Sequence, residues 1–426
     1  MATAAPEERG PRGEAGAAAA PAGPAHVAVV SFLAARAAPT GGFWIALAGG
    51  VALARVSALR GARLGFGASI AAMLETVAII GPARFGIPLT QAATAPLLGR
   101  LEARGWGLLP QIVVCAAIRI LHNAATTAFF IWVITGGLDA YAGTYDAIGR
   151  RIGIEVGTAD ALALTLAGLL AWGAFASTIQ VLVYRRGLRR WPADGDPIYV
   201  DPNNRGQRRE HEPEAPVEHR NRFDPRAVTL AAVVLFAVLL ASTDWVVLAA
   251  VSLVLALAWL ASRPDPEPLP TGLLFAAILA LGAFIFTLGG GLGLDAALRR
   301  ALRAALIVLV ATWLRAAAGA DGLREVFRRA LGKLRAIPSL PEAAAVLDAI
   351  AAEGRLAAAG RSLADRLGDV RLRPIPFCDA VLAWVVSEAK AFEPEASGPP
   401  LRLAVRPLDL VLVLLAALPA ATLALA

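Results

Sequence analysis

Residues Ala161 to Tyr184 read ALALTLAGLLAWGAFASTIQVLVY, twenty-four positions without one charged side chain. A helix that crosses a bilayer needs about 20 consecutive apolar residues, because an unpaired peptide group in hydrocarbon costs several kcal/mol and a helix pairs all of its own. The stretch satisfies that length and runs directly into Arg185, Arg186, Arg189 and Arg190. An arginine cluster at the end of a span is retained in the cytoplasm, so the segment that follows is placed inside. The rest of the chain has the same character. Of 426 residues 57% are hydrophobic and 17% charged, and the mean hydropathy is +0.62. Soluble domains carry about a quarter charged residues. The expected fold class is an all-α polytopic membrane protein of the cell (inner or plasma) membrane.

Outward from that span the chain divides into four parts. Residues 1 to 25 are Ala, Pro, Gly and scattered charges with no apolar period, and are expected to be disordered. Residues 26 to 184 form a first membrane unit of four to six spans. Its clear members are Phe43 to Ala58, Leu64 to Gly81, Leu108 to Val133 and Ala161 to Tyr184; the N-terminal His26 to Ala38 stretch and Phe85 to Gly99, with Pro88 and Pro96, raise the count to six if both cross. Residues 185 to 226 hold ten arginines, eight acids and six prolines, a cytoplasmic linker. Residues 227 to 426 form a second unit: a hairpin of Ala227 to Thr243 and Trp245 to Ser262, a crossing at Thr271 to Leu288, an outer Gly289-Gly290-Gly291 turn, a return at Ala301 to Leu314, and a final span from Leu410 to Ala426. Arg299, Arg300 and Arg303 fall at the outer end of the return helix, and snorkelling to the interface is the expected accommodation.

Between the last two spans lies a region that a plain bundle has no use for. Residues 321 to 402 carry twelve basic and eleven acidic side chains yet read as helices. Leu323, Val326, Phe327, Ala330, Leu331 and Leu334 recur at i, i+3, i+4, i+7, i+8 and i+11, with Arg324, Glu325, Arg328, Arg329 and Lys333 elsewhere on the wheel. Ala343 to Leu367 and Phe377 to Phe392 repeat the theme more loosely, punctuated by Pro338, Pro341, Pro374 and Pro376. Such cytoplasmic amphipathic helices either lie on the membrane surface or fill the groove of a soluble partner.

Several function classes are excluded or disfavoured. The net charge of +7 gathers in segments between apolar runs, which the positive-inside rule explains without nucleic acid. Cys115 and Cys378 suggest neither a disulfide framework nor a thiolate metal site. His26, His122, His211 and His219 are scattered, so no metal is expected and no cofactor is expected on the chain. No G-x-x-x-x-G-K-[ST], H-E-x-x-H or G-x-S-x-G occurs, so ATP hydrolysis, if any, belongs to partners.

Candidate substrate-binding residues are the ionisable and polar groups inside spans, which are costly there and usually face a cavity or a partner. Arg119, His122, Asn123 and Thr126 recur at i, i+3, i+4 and i+7 as one polar stripe, and Glu75 lies in the middle of another span. Glu75 and Arg119 can clamp a zwitterionic or anionic ligand, or neutralise each other. Tyr141, Tyr145 and Trp172 either cap such a cavity or anchor the interface.

Residues 222 to 426 resemble the transmembrane T component of energy-coupling factor transporters, ABC-type importers of vitamins and trace metals. The resemblance rests on Phe223-Asp224-Pro225-Arg226 before the first span, the hairpin, the Gly-containing outer turn at Gly289 to Arg303, the charged amphipathic segment Asp321 to Pro338, and Arg406-Pro407-Leu408-Asp409-Leu410 leading into the last span. It implies two separate ABC-type ATPase subunits as partners, docked through arginines at the ends of coupling helices. The matches here depart from the family pattern: Ala359-Gly360-Arg361 and Glu388-Ala389-Lys390-Ala391 are degenerate, and Arg361 and Lys390 either dock into the ATPases or solvate a helix face. Leu101-Glu102-Ala103-Arg104-Gly105-Trp106 fits the motif better but sits in the other half, before a membrane span, and is either a chance match or a cytoplasmic turn rich in Arg. By size, order and topology residues 26 to 184 are similar to a fused substrate-binding S component, the competing view being a domain that scaffolds or regulates. The expected function is uptake of a small organic, vitamin-like nutrient; the alternative is a membrane scaffold or intramembrane enzyme that keeps a T-like bundle without ATPase coupling.

Overall fold

The computed structural model describes residues 21–38, 41–82, 88–191, 222–334, 336–350, 353–368, 370, 373–392, 401 and 403–425. Most of the segment expected to be disordered, the middle of the linker with His211 and His219, and the start of the Phe85 to Gly99 stretch lie outside these residues. Among the described residues there are fifteen α-helices, one π-helical turn and no strand. The first seven are α1 (Ala22–Ala37), α2 (Gly42–Arg60), α3 (Ala62–Ile80), α4 (Pro88–Ala103), α5 (Leu108–Phe129, continued by the π turn Phe130–Thr135), α6 (Leu138–Arg150) and α7 (Thr158–Arg190). After the linker come α8 (Pro225–Ala241), α9 (Trp245–Ser262), α10 (Pro268–Gly289) and α11 (Gly293–Lys333). The charged region supplies α12 (Ser339–Ala349), α13 (Glu353–Gly368) and α14 (Pro374–Ala391), and α15 (Pro407–Leu425) closes the chain. Seven helices are long and apolar enough to cross a membrane: α2, α3, α5 with its π turn, α7, α9, α10 and α11. Helices α1 and α8 and the Pro407–Thr422 run of α15 are apolar but shorter.

Local chemistry explains the boundaries. Asp224 caps α8, its carboxylate accepting the Arg226 backbone N–H at 2.8 Å, and Pro225 takes the first helical position where no donor is needed. Pro96 sits inside α4 and cannot donate to the carbonyl four residues back. That carbonyl, of Ala92, accepts the buried Ser69 hydroxyl of α3 instead, so the proline's missing bond becomes a link between helices. The Ala343 to Leu367 stretch is not one helix. Ile350 is extended (ψ 137°), and the step from Ile350 to Leu356 spans six residues, off the helical period, so a single rod would turn one of the two outward. Breaking there buries both. Likewise α11 changes direction at Gly319, whose φ of 71° and ψ of 164° only glycine adopts freely.

Packing creates two principal cores, and their border does not follow the linker. One gathers α1 to α4, the inner ends of α5 and α7, and the apolar faces of α12, α13 and α14 around α2, whose Ala46, Leu47, Val51 and Leu53 are wholly buried. Gly50 and Gly99 permit the closest approaches: a Cβ at Gly50 would meet the Tyr184 hydroxyl at 1.6 Å, and one at Gly99 the Ala54 carbonyl oxygen at 2.0 Å. The other core unites α8, α9, α11 and α15 around Trp313, with Ala78 of α3 reaching into it. Outward-facing Leu164, Phe175, Val233, Leu260, Ile278 and Leu414 are exposed, the surface expected of helices that face lipid.

The opposite ends of the bundle differ in charge handling. Helix α7, 33 residues and so about 50 Å long, outreaches the roughly 30 Å hydrocarbon core. Its Arg-rich end is held by acids: Arg185 and Arg189 by Glu102, Arg186 and Arg190 by Asp379 of α14. The Leu101 to Trp106 turn and α14 therefore share one end with the Arg185 to Arg190 cluster. At the other end Arg300 and Arg303 do not snorkel. Arg303 is buried and donates to the Leu239 and Leu240 carbonyls at 2.5 and 2.9 Å, while Arg300 donates to those of Thr135 and Gly136, so each cation caps the C-terminus of a neighbouring helix.

Candidate functional site

Glu75, at mid-span on α3, is fully buried, and its partner is Arg324 of α11, not Arg119. The guanidinium Nε donates to Oε2 at 2.8 Å and Nη2 donates to Oε1, while Nη1 lies 3.4 Å from Asp321. A second tie lies one break away: Arg315 Nε donates to the Ile79 carbonyl at 2.7 Å. Further along, Arg63 of α3 pairs with Glu342 of α12 at 2.6 Å, and Glu325, buried, accepts from both Arg328 and Arg329. Helix α3 is thus joined by polar contacts to α11 and α12 along its length.

The polar stripe of α5 separates. Arg119 points into the protein, 4% exposed, whereas His122 and Asn123 are half-buried and Thr126 is exposed, its hydroxyl donated to the His122 carbonyl at 2.9 Å. Arg119 belongs instead to a network across α4, α5 and α7. It donates to Gln180 Oε1 and to Ser177 Oγ at 3.3 Å; Cys115 Sγ donates to the same Gln180 oxygen at 3.4 Å, and Gln180 Nε2 donates to Thr94 Oγ1 at 2.6 Å. Among the described residues this buried guanidinium has neutral acceptors and no carboxylate. Gln91, three residues before Thr94, is also fully buried, and neither its amide nitrogen nor its amide oxygen has a partner. Ser177 and Gln180 escaped the sequence reading although they are polar residues at i and i+3 in the charge-free span; Arg324 escaped it because one helical wheel cannot show which neighbour covers its charged side.

The aromatic residues do not close over Arg119. Tyr141 and Tyr145 of α6 meet at 3.2 Å, and Tyr141 bonds Thr165 at 2.7 Å, fifteen residues and so about 22 Å along α7 from Gln180. Trp172 packs on Phe43 and Phe175.

In the charged region, α13 and α14 each bury one face and expose the other, whereas α12 has no exposed residue and its Glu342 and Asp348 lie against Arg63 and Arg328. Val346, Leu347, Leu363, Val381, Trp384 and Val385 point into the core, while Arg361 and Lys390 are exposed and make no ion pair among the described residues. Lys390 is in the last turn of α14, where the helix dipole favours a cation. Arg361 is in the middle of α13, on the wall of a cavity of about 750 Å³ between α13 and α1. The guanidinium of Arg186 holds the Asp379 carboxyl below the usual range against the opposing effect of burial, and Arg190 adds a smaller lowering. Burial, and next Asp379 beside it, push the Cys378 thiol up to about 11, so it stays a neutral thiol. No group of three or more His, Cys, Asp or Glu side chains suited to a metal ion occurs among the described residues.

Two of the segments that carry the family resemblance, far apart in sequence, touch. Asp409 accepts the Asp224 backbone N–H at 2.8 Å and that of Arg406 at 2.6 Å, and Arg226 grips the Asp224 carboxylate at 2.8 Å. Compared with protein-family models, curated proteins and solved structures, the chain matches none of them.

Proposed function

We propose that the chain is a membrane subunit of an energy-coupling factor type importer, joining a substrate-binding half (residues 26 to 184) to a T-like half (227 to 426) and driven by two separate ABC-type ATPases. The observation that carries this reading is the double-faced placing of α13 and α14. Their apolar faces share a core with α1 to α4, the charged side of α13 and Lys390 of α14 are exposed, and α14 meets the Arg-rich end of α7 through Asp379. Amphipathic helices so placed offer a water-soluble motor a surface whose displacement is felt by the first half. The Asp224 to Asp409 contact adds support, because it gives the two resembling motifs one structural task. Lys390, exposed at a helix end and without an ion pair among the described residues, is the better placed of the two candidate ATPase contacts.

The substrate is a small organic anion or zwitterion in this reading, and Arg119 supplies the charge for it. A buried guanidinium surrounded by amide, hydroxyl and thiol groups takes a carboxylate more readily than one already neutralised. His122, Asn123 and Thr126 would line the approach and Glu75 is reassigned to the joint with α11.

Affinity purification of the detergent-solubilised chain tests the proposal. Recovery of two ABC-type ATPases is expected, with Lys390→Glu lowering it more than Arg361→Glu. Absence of ATPases from an intact preparation sinks the importer and favours the scaffold or intramembrane enzyme.

A further inference from the structure

We propose that the groove between α1 and α13 is a binding site for one anionic phospholipid, with acyl chain inside and phosphate on Arg361. This site is independent of the transport reading. The groove's volume of about 750 Å³ falls within the range of roughly 300–1,000 Å³ typical of small-molecule sites. Val30 and Leu33 of α1, Ile79 of α3, and Leu356 and Leu363 of α13 make its wall, and Arg361 is the one charged residue in the lining. A water-soluble ligand would leave its polar groups unpaired against such a wall, whereas a hydrocarbon chain loses nothing there. Hydrocarbon chains are the ligand that a chain with seven membrane-length helices always meets.

Charge complementarity decides the headgroup. Arg361 makes no ion pair among the described residues, not even with Asp365 one turn along. Arg355 and Arg366 are also exposed on α13, against one exposed acid among the described residues, Asp365, so the helix as a whole is basic. Each basic side chain near a surface strengthens attraction to anionic lipid by about fivefold. Amphipathic α13, apolar on one side and arginine-rich on the other, has the composition of helices that lie in the headgroup layer.

Bound lipid on the full chain, purified in mild detergent and mixed with phosphatidylglycerol or phosphatidylcholine, is counted by native mass spectrometry. One phosphatidylglycerol is expected to be retained, at least about fivefold better than phosphatidylcholine. Arg361→Glu is expected to lower its retention by about tenfold or more. Gly360→Trp fills the groove with Arg361 still present; a Cβ at Gly360 meets nothing within 4 Å, so the backbone accepts a substitution there, and circular dichroism verifies that the fold is kept with the indole in place. It too is expected to expel the lipid, while Lys390→Glu leaves retention unaltered. Equal retention of the two lipids, or unchanged retention in either Arg361→Glu or Gly360→Trp, overturns the assignment.

Discussion

Glu75 and Arg324, 249 positions apart, form a two-point ion pair in which the carboxylate is wholly buried and the guanidinium 20% exposed. Breaking such a pair leaves a charge stranded, while replacing both members by apolar residues of similar volume is often neutral. Glu75→Ala is expected to cost about 3 kcal/mol, the low end for a buried pair because Arg324 keeps some water and Asp321. Glu75→Met with Arg324→Met should recover most of that loss. Thermal unfolding in detergent, followed by tryptophan fluorescence, measures both; a double variant as unstable as Glu75→Ala refutes the pairing argument.

Asp409 holds two backbone donors at the start of α15, and it is 1% exposed. Asp409→Ala orphans both, an expected loss of about 2 kcal/mol, and Asp409→Asn, which keeps one acceptor, should lose less. Amide hydrogen exchange is the sensitive readout. Protection at Asp224 and Arg406 should fall together in the alanine variant, and unchanged protection at Asp224 contradicts the long-range bond.

The Asp379 link between α14 and α7 should depend on pH in one direction. Its carboxyl is held below the ordinary value by Arg186 and then Arg190, so its contribution is complete above the unfolded value near pH 4 and fades as pH falls through the lower folded value. Asp379→Asn is expected to be less stable than the unsubstituted chain at pH 7 and to converge with it once the pH falls below the lowered folded value. A difference that persists undiminished at low pH argues that the substitution acts through packing.

Gly50 and Gly99 separate two kinds of close approach. At Gly50 the obstacle to a Cβ is the side chain of Tyr184, at Gly99 the backbone of α2. Gly50→Ala is expected to destabilise by about 1–3 kcal/mol and to be rescued by Tyr184→Leu. No single side-chain change should rescue Gly99→Ala. Melting temperatures of the four variants decide it, and a failure of Tyr184→Leu to restore Gly50→Ala contradicts the contact.

Much of the helix inventory was legible because length and apolarity are local properties. Ala161 to Tyr184, Trp245 to Ser262 and Leu108 to Val133 stand close to where the sequence puts them, and the amphipathic period from Leu323 falls in a helix that buries Leu323 and Leu331, although Ala330 and Leu334 are exposed and Glu325, off that face, is buried. What hydropathy does not encode is which neighbour covers a given face. Arg324 reads as a solvated charge until α3 is packed against it, and Arg303 reads as a snorkelling cation until the open carbonyls of α8 arrive beside it. The i, i+3, i+4, i+7 pattern at Arg119 correctly identifies one face of α5, but neighbouring helices cover only part of that face, so the residues it groups have different surroundings. The break at Ile350 is missed by a reading that treats Ala343 to Leu367 as one stretch and does not weigh the six-residue step from Ile350 to Leu356.

The interruption of α11 at Gly319 makes that element two levers on one pin, and α3 lies across the pin like a splint. Arg315 fastens it on the near side, through Ile79, and Arg324 on the far side, through Glu75. Any flexing at residue 319 must therefore slide one fastening relative to the other or carry α3 along with it. The joint that a lone glycine would leave loose is braced by an element from the opposite end of the polypeptide.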